Sequence, residues 1–239
     1  MIFQVHDIPV LDSTQNTAHE FARDGAIEGT LIQAREMTSG RGTHGRVWEA
    51  PYGNLYMSLI LRPGIDTQII GQLSFVAAIA VARAIEEFIP TDICLSLKWP
   101  NDVLLGDKKL CGILIETELA QDALSYVVLG IGVNIEKAPY SGAICLQDVC
   151  RKEYDIDTIR DLICTNFAEE YERWLGDGFA SIREDWLKRA YRLGQDIRVS
   201  QEGGDKLIGK FIDLDEQGYL ILSVNDIQKR LNAGGIELE

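Results

Sequence analysis

The run over residues 69–89 is the longest apolar stretch in the sequence, and it restricts the fold more than any other segment. Its length would suit a membrane span, but Gln72, Ser74, Arg83, Glu86 and Glu87 interrupt it, and such groups are costly in hydrocarbon. The run therefore predicts a helix buried in a protein core. Three apolar segments rich in β-forming residues follow, at 94–97, 110–116 and 126–131, with lengths that suit adjacent strands of one sheet under that helix. Further strands are expected at 31–34 and 56–61. Apolar residues spaced by three and four from Ile159 through Ile163, Phe167, Tyr171 and Trp174 predict a second amphipathic helix, and Ile182, Trp186 and Leu187 a third.

Near Leu193-Gly194 the pattern changes. Short strands are expected at 197–199, 207–212, 219–224 and 227–231, separated by Glu202-Gly203-Gly204-Asp205 and by the acidic turn at 213–218. The whole reads as an α+β chain: a mixed or antiparallel central sheet with packed helices over residues 1–192, then a small antiparallel β-barrel over 193–239.

At 239 residues and 46% apolar content the chain can bury a sizeable core. A formal charge of −14 argues against a broad nucleic-acid surface, which relies on many Lys and Arg contacts to phosphate. Any phosphate should be gripped locally. The five cysteines form no CxxC pair, so neither a disulfide framework nor a zinc knuckle is indicated, and a reducing cytoplasm is expected. The N-terminus lacks the basic region and apolar run of a signal peptide.

Three segments carry chemistry. Gly40-Arg41-Gly42-Thr43-His44-Gly45-Arg46 interleaves glycine with arginine, so backbone amides and guanidinium groups can close on phosphate or carboxylate. An ordinary solvated turn has the same composition. Lys98-Trp99-Pro100-Asn101-Asp102 places a lysine at a strand end, with Asn101 and Asp102 either forming the turn or positioning Mg²⁺ or a nucleotide hydroxyl. Gly130-Ile131-Gly132-Val133-Asn134 leaves bare backbone on one face of a strand, where a flat ligand could lie. It lacks the third glycine and following helix of a dinucleotide fingerprint. Upstream, Asp12-Ser13-Thr14 precedes a short helix ending near Gly25, so Ser13 and Thr14 serve as a cap or face a polar ligand.

In this order, and together with Trp48, Asn54-Leu55-Tyr56 and Lys109-Leu110-Cys111-Gly112-Ile113-Leu114, these segments resemble the biotin protein ligases. The tail, with Ile212-Asp213, Gly218-Tyr219-Leu220 and Ala233-Gly234-Gly235, is similar to that family's small C-terminal barrel. The resemblance implies a class II synthetase-like, biotin/lipoate ligase-like catalytic domain with biotin and ATP as substrates and Mg²⁺ accompanying ATP. It implies formation of biotinyl-5′-AMP, then transfer of biotin to a lysine of a biotin carboxyl carrier domain. The ligase would act as a monomer or homodimer.

On the family pattern Lys98 and Arg41 are catalytic. Ser13 and Thr14 face the ureido ring, and the biotin set continues with Gln15, Met37, Gly40, Arg41, Lys98, Gly112, Gly130 and Gly132. The nucleotide set is Arg41, Gly42, Thr43, His44, Arg46, Trp48, Asn101 and Asn134. Within it, Trp48 packs on adenine or orders the loop, and Asn134 bonds the nucleotide or ends the strand. His44 contacts phosphate or is an exposed loop histidine. The Lys98 to Asp102 segment argues against a lipoate ligase. A non-catalytic ligand sensor is the rival from another class. Only twelve residues precede Ser13, so an N-terminal DNA-binding domain and direct repression are not expected.

Two positions depart from the family pattern. Met37 stands where glutamine is common, and a thioether cannot replace an amide that both donates and accepts. Thr43 stands where many members carry a second loop arginine. Weaker retention of biotinyl-5′-AMP is expected, and Thr43→Arg should slow adenylate release measured with no acceptor present.

Overall fold

The computed structural model describes residues 1–120, 123–150, 153–200 and 205–238. In chain order the elements are β1 (Gln4–Leu11), α1 (Thr14–Arg23), β2 (Thr30–Met37), β3 (Leu55–Leu61), α2 (Leu73–Glu86), β4 (Leu95–Lys98), β5 (Asp102–Leu105), β6 (Lys108–Ala120) and β7 (Ala123–Val133). There follow α3 (Leu146–Cys150), α4 (Ile156–Asp177), α5 (Phe179–Lys188), β8 (Asp196–Ser200), β9 (Lys206–Leu214), β10 (Leu220–Val224), β11 (Ile227–Leu231) and β12 (Gly235–Ile236).

The first seven strands form one mixed sheet in the order β1-β2-β3-β7-β6-β5-β4. Only β1 and β2 run parallel; the other neighbours are antiparallel. Successive side chains on a strand point to opposite faces, and here the faces have different tasks. Leu31, Leu55, Leu59, Leu129 and Val133 join the main core with α2 and α4. Ile32, Ile60, Tyr126 and Val128 face the other way and pack on Ala18 and Ala22 of α1. The apolar helix is a core helix, as its sequence predicts: twelve of the fourteen α2 residues are buried.

Three strands have no counterpart in the sequence reading, β1, β5 and the two-residue β12. β1 is largely exposed and lacks a clean apolar alternation. β5 is four buried residues directly after a segment read as a turn. The turn expected at Glu202-Gly203-Gly204 lies outside the described residues.

The C-terminal strands form a five-stranded antiparallel sheet in the order β11-β10-β9-β8-β12. The expected barrel is not closed. Closure requires the outer strands to pair, but β12 offers only two residues, both paired with β8. Hydrogen bonds from Trp99, Lys98, Gln72 and Arg183 tie this part of the chain to the rest. Trp99 Nε1 donates to the Gly218 carbonyl at 3.0 Å, Lys98 Nζ to the Ile236 carbonyl at 3.0 Å, and Gln72 Nε2 to the Glu216 carbonyl at 2.9 Å. Trp99 is almost fully buried at the junction. Trp99→Phe keeps most of the packing and orphans one carbonyl, so chemical denaturation should register a loss of about 1–3 kcal/mol.

Candidate functional site

Strand register lines up one transverse row across the central sheet. Lys98 pairs with Asp102, Asp102 with Gly112, Gly112 with Gly132, Gly132 with Tyr56 and Tyr56 with Ala34. Two glycines in the middle of that row leave the pleat without side chains, and Gly130 extends the bare strip along β7. A Cβ on Gly112 or Gly132 would come within 2.7 or 2.8 Å of the Trp48 ring, and one on Gly130 within 3.0 Å of Gln15 Oε1. The flat group lying on the bare backbone is thus the protein's own indole. Lys109 Nζ sits 5.1 Å from the centre of the Trp48 ring, within cation–π range.

Over this floor is a cavity lined by Thr14, Arg41, Trp48 and Lys109. One end is polar. Ser58 Oγ lies 2.8 Å from both Thr14 Oγ1 and Gln15 Oε1, and all three residues are buried. Ser13 is the residue before α1, but its side chain makes no capping bond. Asp12 instead accepts from the Ser13 amide and from Asn16 Nδ2, each at 2.6 Å. The Ser13 hydroxyl is therefore available to the cavity that it lines. The Thr14 amide donates to the Met37 sulfur at 3.3 Å.

The glycine/arginine segment is a short hairpin. Trp48 N donates to Gly40 O at 2.9 Å and Gly42 N to Arg46 O at 2.8 Å, with a 3₁₀ turn over Thr43–Gly45. Arg41 reaches from it across the cavity. Its Nε and Nη2 donate to Glu116 Oε1 and Oε2 at 2.9 and 2.8 Å, and Nη1 donates to Asn16 Oδ1. Gln15 Nε2 reaches Glu116 Oε2 at 3.0 Å, and His19 Nε2 approaches the same oxygen at 3.3 Å. Burial acts to raise the Glu116 pKa, but the Arg41 guanidinium and His19 outweigh it and hold the carboxyl below the ordinary glutamate range.

A concave site with a backbone floor, one polar end and two cations above it suits a flat, partly apolar ligand carrying an anion. Residues 8–134 match the Biotin/lipoate A/B protein ligase family, and residues 193–238 match the Biotin protein ligase C terminal domain. The chain belongs to the biotin protein ligases.

Among similar proteins, the Bifunctional ligase/repressor BirA of Bacillus subtilis is 38% identical over 98% of this chain and 73% of its own length. The Biotin–[acetyl-CoA-carboxylase] ligase of Paracoccus denitrificans is 37% identical over 88% of this chain and 90% of its own. The biotin protein ligase from Aquifex aeolicus, solved in complex with biotin and ATP, superposes with a TM-score of 0.84 at 28% identity, covering 99% of this chain and 98% of that one.

In this ligase the cavity brings together Ser13, Thr14, Gln15, Met37, Arg41, Gly42, Thr43, Trp48, Asn101, Gly112, Gly130 and Gly132. Gly40, Arg46, Lys98 and Asn134 stand off its wall, and the His44 side chain lies outside the described residues. Arg46 is exposed at the end of the hairpin. Asn134 follows β7, and its amide and Nδ2 donate to the carbonyls of Leu110 and Lys109. Lys98 is buried behind the wall, paired with Asp102 at 2.8 Å.

The lysine on the wall is Lys109, to which the sequence reading gave no role. A register shift explains the omission. Cys111 pairs with Val103 but Lys109 with Leu104, so β6 carries an extra residue at Leu110. Such a bulge re-aims the side chains beyond it. Leu110 and Cys111 both enter the main core, while Lys109 reaches the glycine face. Glu116 was also missed, although it lies two and four residues beyond Leu114 and Gly112 on the same strand face.

Gly132→Ala should force the Trp48 ring off the floor. The other three tryptophans are buried at 1–3% exposure, so a change in tryptophan emission would report Trp48. A stability loss of about 1–3 kcal/mol should accompany it.

Proposed function

We propose that this ligase condenses biotin with ATP to biotinyl-5′-AMP and transfers biotin to a lysine of a carboxyl carrier domain of a biotin-dependent carboxylase. The observation that carries the reading is one cavity in which a glycine floor faces the two cations Arg41 and Lys109. In the first step a biotin carboxylate oxygen attacks the α-phosphorus, the bond from that phosphorus to the bridging oxygen breaks, and pyrophosphate leaves. In the second, a neutral lysine amine attacks the acyl carbon, AMP leaves with the carboxyl-derived oxygen, and the amine loses a proton.

Neither step needs a protein nucleophile. Both need two anions brought together and charge stabilised at phosphorus, which fixed cations and amides provide. Lys109 and Arg41 are placed for that task. Ser13, Thr14 and Gln15, the last two hydrogen-bonded to Ser58, form the polar end suited to the ureido ring, with the Met37 sulfur a weak acceptor beside them. Trp48 is placed to stack on either flat group of the adenylate.

Mg²⁺ enters as part of the nucleotide substrate. Among the described residues no group of three or more His, Cys, Asp or Glu is placed to hold a metal. Glu116 and Asp102 are both already engaged by cations. The described residues therefore do not build a resident site.

We further assign residues 1–192 to catalysis and 193–239 to a C-terminal domain, supported by the separate sheets. A cytoplasmic location is supported by the free cysteines, and the absence of a DNA-binding role by the charge of −14.

Incubating the protein with biotin, ATP and a carrier domain should add biotin to the carrier, detected by mass. Ligand binding without transfer would favour the sensor. Lys109→Met should slow adenylate formation by about 100-fold or more, the scale expected for losing one oriented charge donor at a transition state.

A further inference from the structure

Lys98 is a buried cation that does not reach the cavity, and its surroundings give it a task. Its Nζ lies 2.8 Å from Asp102 Oδ2 and donates to the Ile236 carbonyl at 3.0 Å. The other Asp102 oxygen faces Lys109 Nζ at 2.5 Å. Lys98 is 9% and Asp102 8% exposed, so solvent screens neither charge effectively. Three strands deliver this arrangement, because Lys98, Asp102 and Gly112 are register partners across β4, β5 and β6. The bulge in β6 then swings Lys109 back over Asp102.

The charge count is decisive. Asp102 alone would cancel Lys109 and leave a neutral pair facing the ligand. With Lys98 on its far oxygen, the cluster carries one net positive charge, and the lysine facing the cavity remains effective toward an anion. Burial opposes ionisation of Asp102, but Lys109 and Lys98 together hold its pKa below the ordinary aspartate range, so the carboxylate is charged at neutral pH.

We propose that Lys98 is a positioning residue that neutralises Asp102 and thereby reserves the charge of Lys109 for the phosphates of ATP. The Ile236 carbonyl fixes the direction of the Lys98 ammonium. The edge of the C-terminal sheet therefore takes part in setting the electrostatics of a pocket that it does not line.

The inference rests on the ATP-dependent reading above and is tested on its first step alone, as biotin-dependent pyrophosphate release without carrier. The net charge of the Lys98–Asp102–Lys109 cluster is +1 in the native protein, 0 in Lys98→Met, +1 in the Lys98→Met/Asp102→Asn double variant and +2 in Asp102→Asn. Lys98→Met should raise the KM for ATP by about tenfold or more, with a smaller change in kcat. The double variant should return that KM to within about threefold of native, and Lys98→Arg should stay near native.

A double variant no better than Lys98→Met would overturn the proposal, because a packing role predicts that outcome. Should Lys98→Met fail to fold, Asp102→Asn decides alone: the charge account requires a KM no higher than native, and a rise of tenfold would sink it. Failure of the underlying reading is distinguishable, since the native protein would then release no pyrophosphate.

Discussion

The structure depends on the two faces of one sheet being assigned opposite duties. Alternate residues of β2, β3, β6 and β7 close the core against α2 and α4, while their neighbours face α1 and the cavity. A one-residue slip anywhere in those strands would exchange core and site. Antiparallel register then converts a linear spacing into a transverse row, so that residues far apart in sequence meet within a few ångströms. The bare floor is the clearest product of that geometry. Its glycines come from two strands and have meaning only when the register is fixed.

Much of this was legible in the chain. The buried helix followed from an apolar run broken by a few polar residues, and the C-terminal strands from short alternating segments between turns. Ser13, Arg41 and the glycines of the floor were found because their residue types announce special chemistry or special backbone. Lys109 was not, because a bulge changes the face on which it falls, and a bulge leaves no reliable trace in composition. Lys98 carried the more conspicuous motif, yet the row that contains it continues past the cavity wall. The failure of the small sheet to close was equally hidden, since it turns on how few residues β12 contributes.

Lys98 also shows how a residue can be informative about a site without lining it. The Trp-Pro segment beside it anchors the C-terminal sheet through Trp99, and the lysine anchors it again through Ile236. The five residues from Lys98, the last of β4, to Asp102, the first of β5, therefore hold two parts of the molecule in one frame. Asn101 completes the link, since its carbonyl accepts from the Ile113 amide and its Nδ2 donates to the Ile113 carbonyl.

The pairing of Arg41 with Glu116 has a consequence for how anything enters. The guanidinium is held by two charge-assisted bonds to Glu116 and by Asn16. An incoming anion that engages Arg41 does so by exchange, displacing a resident carboxylate. The free energy gained is the difference between two similar contacts. What the fold supplies in advance is the ordering of a long side chain, so that the entropy of fixing it belongs to folding and not to binding.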